Sequence, residues 1–78
     1  MNIGGLYTYR HSRRLHRTKE LNEWIAEFDE DTPLVLLEVY NLPASFSEVR
    51  VIKAYKVLTS TGIIGWMIGD KEYFHELS

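Results

Sequence analysis

Leu6-Tyr7-Thr8-Tyr9 alternates in polarity and is rich in β-forming side chains, which predicts a first strand after the conformationally free pair Gly4-Gly5. Residues 10–19 are polar and show no period, which predicts a long exposed loop. Residues 19–28 support two readings. Leu21, Trp24, Ile25 and Phe28 fall at i, i+3, i+4 and i+7, the apolar stripe of a short helix with Thr18 as its N-cap. Trp24, Ala26 and Phe28 also alternate as a strand would. The period by itself favours the helix, and the segment is too short for length to decide.

Asp29-Glu30-Asp31-Thr32-Pro33 has turn composition, and the proline biases Thr32 away from helical backbone. Leu34 to Tyr40 is the clearest strand. Val35, Leu37 and Val39 are expected on one face, with Leu34, Leu36, Glu38 and Tyr40 on the other. Apolar residues on both faces imply a strand covered from two sides. Asn41 to Glu48 is expected to be a loop. Val49 to Thr59 is a second long strand whose alternation slips near Ile52-Lys53, the mark of a bulge. Ser60-Thr61-Gly62 predicts a hairpin turn, and Ile63 to Ile68 the returning strand. Gly65 in its interior predicts a bend or a close backbone approach. Tyr73-Phe74 opens a short final strand. The result is an all-β domain over residues 1–78, a small five-stranded antiparallel barrel.

The chain has 78 residues, 45% hydrophobic and 26% charged, which is globular composition for one small domain. A chain of that length should have a radius of gyration of roughly 11–12 Å. It contains no cysteine, so disulfides, cysteine zinc sites and thiol chemistry are excluded. There is no signal peptide pattern and no apolar run of membrane-spanning length, so a soluble cytoplasmic protein without a membrane partner is expected. The formal net charge of −2 conceals a polarity. Residues 1–19 carry Arg10, Arg13, Arg14, Arg17 and Lys19 and no acid. Residues 20–31 carry Glu20, Glu23, Glu27, Asp29, Glu30 and Asp31 and no base. Either the two blocks neutralise one another, or the basic stretch is a phosphate-binding loop. The first reading is favoured, because the neighbouring acids would cancel much of the field.

The order of these motifs resembles the Src-homology-3 barrel. Leu6-Tyr7-Thr8-Tyr9 is similar to its "ALYDY" opening, and Phe28 through Glu38 (FDEDTPLVLLE) to its diverging turn and second strand. Lys56 through Ile68 (KVLTSTGIIGWMI) is similar to its distal hairpin, and Tyr73-Phe74 to its closing strand. With its Gly4-to-Arg10 opening, its Leu34-to-Glu38 middle and its ending from Gly62 through Trp66 to Tyr73-Phe74, the frame also resembles short proteins of marine cyanophages that open "GxLYxYR", carry "LVLE" and end "GxxGW…YF", which would place the chain inside a host cell. The resemblance implies a five-stranded barrel with an irregular first loop, and it turns Trp24 to Phe28 into a strand. It does not carry proline-rich peptide recognition. Tyr7, Tyr9 and Tyr73 match the family's tyrosines, but its groove tryptophan falls near Lys53 or Ala54 and its proline near Ile68. Its acidic loop is here the basic His11 to Arg17.

No constellation of catalytic residues emerges. His11 and His16 are not at the i, i+4 spacing of a helical metal pair, and His75 stands apart. Ser12 beside them has no nucleophile elbow around it. Asp29, Glu30 and Asp31 lack the spacing of a calcium loop. Gly62-Ile63-Ile64-Gly65 has isoleucines where an RNA-clamping loop presents bases. The expectation is a binding or assembly module, with no enzyme activity, cofactor or metal. Its partner is expected to be a protein, met by Tyr7, Tyr9, Trp66 and Tyr73 with the basic stretch as rim. Pairing of strand edges into a homodimer is a further option. Nucleic-acid or phosphate binding through Arg10, Arg13, Arg14, Arg17 and Lys19 is the alternative.

Overall fold

The structure is a computed structural model that describes residues 1–41 and 53–77. Among these residues every regular element except one 3₁₀ turn is a strand: β1 (Leu6–Tyr9), β2 (Arg13–His16), β3 (Trp24–Phe28), β4 (Leu34–Asn41), β5 (Lys53–Thr59), β6 (Ile64–Gly69) and β7 (Phe74–Glu76). The turn, Lys71–Tyr73, leads into β7 and is capped by Asp70, whose carboxylate accepts from the Glu72 N–H. All strand pairs are antiparallel and form one sheet in the order β3-β2-β6-β5-β4-β1-β7.

The all-β expectation holds, and two of its details are corrected. Among the described residues there are seven strands, not five, and the sheet they form is not closed into a barrel, since β3 and β7 are its edges. The stretch expected to be a loop contains β2. Only Leu15 of that strand is fully buried, so the hydrophobic pattern gave one point of contact with the core and hid the alternation. Residues 24–28 are a strand, and the helix-like spacing has a specific origin. Leu15 pairs with Ala26 while His16 pairs with Trp24, which leaves Ile25 as an extra residue. One inserted residue shifts the phase of alternation and imitates i, i+3, i+4.

A second bulge lies in β4. Leu36 pairs with Val57 and Glu38 with Lys56, so Leu37 is the extra residue. Leu34 and Leu36 face inward, then Val39 falls opposite the inward Tyr55, while Glu38 and Tyr40 take the other face. The simple alternation expected for Leu34 to Tyr40 is corrected accordingly. Of the loop expected from Asn41 to Glu48, Asn41 instead ends β4, paired with Lys53; the rest of that loop, and Ile52 of the expected slip, lie outside the described residues.

The inner face of the sheet holds the core: Tyr7, Tyr9, Leu15, Phe28, Leu34, Leu36, Tyr55, Val57 and Met67, with Ala26, Tyr73 and Phe74 packed against it. Tyr9 and Phe74 meet edge to face at 4.7 Å, and Tyr9 and Tyr73 at 6.0 Å, geometries that suit the ring quadrupoles. The hydroxyls of Tyr7 and Tyr9 find partners. Tyr9 Oη accepts from the Asp70 N–H, and Tyr7 Oη accepts from the Asn2 N–H while donating to Glu76. Burial, then Asp70 and Tyr9, pushes the Tyr55 hydroxyl up to about 12.

Gly65 is the close approach expected of it. A Cβ there would lie 2.9 Å from the Leu15 Cβ, so its absence lets β2 settle on β6. Gly62 takes a φ of +87° in the 59–63 hairpin turn, where glycine has no steric cost. The turn after β3 is tied across the fold by the Asp31 N–H donating to the Tyr9 carbonyl. The radius of gyration is 11.6 Å, within the expected range.

Candidate functional site

The second face of the sheet is built by the residues that alternate with the core. Residues paired directly across a ladder share a face, so the register defines three rows. Leu6, Val35, Leu58 and Ile64 form the first, across β1, β4, β5 and β6. Glu38, Lys56, Trp66, His16 and Trp24 form the second, from β4 to β3. Tyr40, Ala54 and Ile68 form the third.

The connection between β2 and β3 folds over part of this face. Leu21 packs with Tyr40 and Ile68 on a small cluster of Ala54 and Trp66. It does so with a φ of +62°, a left-handed conformation that a branched side chain adopts only when its surroundings hold it there. The Lys19 ammonium lies 4.4 Å from the Tyr40 ring centroid, and the Arg14 guanidinium 4.9 Å from that of Trp24. Such contacts add about 0.5–1 kcal/mol at exposed sites.

Trp24 is 58% exposed, and yet its ring is fixed on two sides. Its indole N–H donates to the Ala26 carbonyl at 2.7 Å, and Arg14 covers one ring face. The first row leaves Ile64 half exposed, with Leu6, Val35 and Leu58 partly so. The face therefore presents apolar surface beside a rigid aromatic and a cation.

The aromatic residues singled out from the sequence do not share a surface. Tyr7 and Tyr9 are core residues with no ring face open to a ligand, and this corrects their assignment to a binding surface. Tyr73 is half-buried on the same inner side, between Tyr9 and His11. Trp66 points to the opposite face and is buried beneath the Leu21 connection. The ALYDY-like tyrosines are thus packing residues here, each with its hydroxyl already bonded.

The basic residues are divided as well. Arg13 and Arg14 lie on opposite faces of β2: Arg13 sits over the Tyr9 ring and Arg14 over Trp24. Arg17 is bonded to Glu23 at 2.5 Å, an exposed pair. Arg10 follows β1 and borders a different cleft with Asp31 and Glu72. The basic and acidic blocks are the two arms of one hairpin: Arg14 is directly opposite Glu27, and a cleft at the base joins His11 and Arg13 to Asp29 and Glu30. Among the described residues the two blocks share one ion pair, Arg17 with Glu23, so mutual neutralisation is shown for that pair alone.

Among the described residues no group of three or more acids and histidines is placed to hold a metal ion, and no helix is long and apolar enough to cross a membrane. Comparisons with known protein families, with curated proteins and with solved structures find no match to this chain.

What sequence reasoning missed is the first row and the pairing of Arg14 with Trp24. Apolar residues on both faces of Leu34 to Tyr40 were the available signal for a second apolar face. The ring contact depends on the Ile25 bulge, which no local pattern announces.

Proposed function

We propose that this chain is a non-enzymatic binding module for a protein partner, built on a fold related to the Src-homology-3 barrel. The relationship is supported by five of the strands. β7, β1, β4, β5 and β6 are neighbours in that order, and β1, β4 and β7 contain the segments that resemble the family's first, second and closing strands. The hairpin β2–β3 occupies the place of the irregular first loop and extends the sheet beyond β6.

The observation that carries the binding reading is Trp24. A large ring, more than half exposed and already immobilised by its own backbone carbonyl and by Arg14, loses little side-chain entropy on contact. Tryptophan and arginine are also the residues that most often dominate protein interfaces. The test is affinity capture from a cell lysate with the wild-type chain and with Trp24→Ala, both checked for the same melting temperature. A protein retained by the first and lost by the second supports the reading. Equal retention by both rejects this surface.

A second reading, single-stranded nucleic-acid binding, is favoured by the alternation of Arg14, Trp24, Lys19 and Tyr40 on one face. The acids of the same hairpin oppose it. Retention of DNA or RNA at low salt, with a log–log salt slope near −0.7 per contact, would select it over the protein reading.

A further inference from the structure

β3 ends the sheet, and among the described residues no other strand pairs with its outward edge. Sheet edges are normally protected by proline, by inward-pointing charge or by a covering segment. β3 is Trp24-Ile25-Ala26-Glu27-Phe28, with no proline, and its Trp24 and Ile25 are 58% and 38% exposed. Its protection is a bulge at Ile25 and one exposed charge, Glu27, which restricts the strands it can take.

Charge selects the occupant. Glu27 is exposed and makes no ion pair among the described residues, because Arg14, its partner across the ladder, lies on Trp24 instead. Asp29 and Glu30 follow directly and are also exposed. A second copy fits poorly. Antiparallel self-pairing centred on Ala26 would set Glu23 against Asp29 and Ile25 against Glu27, and like charges placed opposite one another are destabilising. The edge β7 of a second copy adds Glu76 and no lysine or arginine.

We infer that the β3 edge accepts an extended segment of another protein in which apolar residues alternate with lysine or arginine. Main-chain hydrogen bonds supply the pairing. The apolar side chains extend the inner face beside Ile25 and Ala26, and the cations meet Glu27 on the outer face next to the Trp24 ring, with Asp29 and Glu30 just beyond the strand. The inference rests on the protein-binding reading above and names its partner class.

The test uses the full chain and end-blocked synthetic peptides of about seven residues, followed by amide chemical shifts. A peptide alternating valine and lysine should shift residues 24–28. The same peptide with glutamate for lysine should not bind. Two further peptides carry N-methyl groups on the valines or on the lysines. Only one of these sets donates to the protein, so one version should lose about tenfold or more in affinity and the other should lose less. The double variant Glu27→Lys with Asp29→Lys should transfer the preference to the glutamate peptide.

Shifts elsewhere in the sheet, indifference to N-methylation or an unchanged charge preference would overturn the edge inference. So would failure of the valine–lysine peptide to bind, or sedimentation as a dimer that dissociates on Ile25→Lys. None of these would touch Trp24-dependent capture of a partner, so the two readings fail separately.

Discussion

The two faces of the sheet divide the protein's aromatic residues between two tasks. On the inner face, Tyr7, Tyr9 and Tyr55 are buried, surrounded by other rings, with the Tyr7 and Tyr9 hydroxyls hydrogen-bonded. On the outer face, Trp24 and Tyr40 carry cations on their rings, and Ile64 is half exposed. The comparison teaches that residue type says little about role here. Tyrosines resembling a family's binding residues are packing residues, and a tryptophan in a segment that reads equally well as helix or strand is the exposed one.

The sharpest way to test this division is to truncate one ring from each face. Tyr9→Ala removes a fully buried ring together with the acceptor for the Asp70 N–H. It should cost about 3–5 kcal/mol, read from chemical denaturation, which is a large share of a small domain's stability. A loss below about 1 kcal/mol would mean that the inner face is not the core. Gly65→Ala should come next. Its new Cβ falls 2.9 Å from the Leu15 Cβ, close to the β2 backbone, where no flexible side-chain end can yield. Overpacking of this kind costs about 1–3 kcal/mol, and a neutral result would place β2 elsewhere.

Alkaline unfolding sharpens the contrast further. The Tyr55 hydroxyl is pushed up to about 12 from 10.0, chiefly by burial. A tyrosine whose folded-state pKa is raised gives stability that is whole below pH 10 and is lost as pH rises toward 12. Denaturation midpoints should therefore fall over that window, and Tyr55→Phe should flatten the fall. Smallest of all is the stability effect of Trp24→Ala, expected within about 0.5–1 kcal/mol. That small number makes it a usable binding variant, because lost capture could not then be attributed to unfolding.

Much of the fold was legible because burial on one face leaves a period in the sequence. β1, β4, β6 and the 59–63 turn stood out through alternation and through Gly62. The close approach at Gly65 was readable too, since a glycine inside a strand needs a reason. β2 was not legible, because a strand with one fully buried residue has no hydrophobic period to show. The bulges at Ile25 and Leu37 broke the phase that sequence reading depends on. The site was legible only in its components. Trp24, Arg14 and Lys19 were visible as residue types, but their grouping depends on a hairpin that folds back across the sheet.

Among the described residues that hairpin is joined to the rest of the sheet by one ladder pair, His16 with Trp66, while β4 and β5 share seven. The arms are near in sequence, but their mooring spans 50 positions. Closing so long a loop is entropically expensive, so the meander of β4, β5 and β6 should assemble first and the hairpin dock afterwards. Substitutions at the mooring, such as Leu15→Ala, should then leave the refolding rate almost unchanged and accelerate unfolding. On that order of events the segment that carries the exposed tryptophan would be, in kinetic terms, a late arrival.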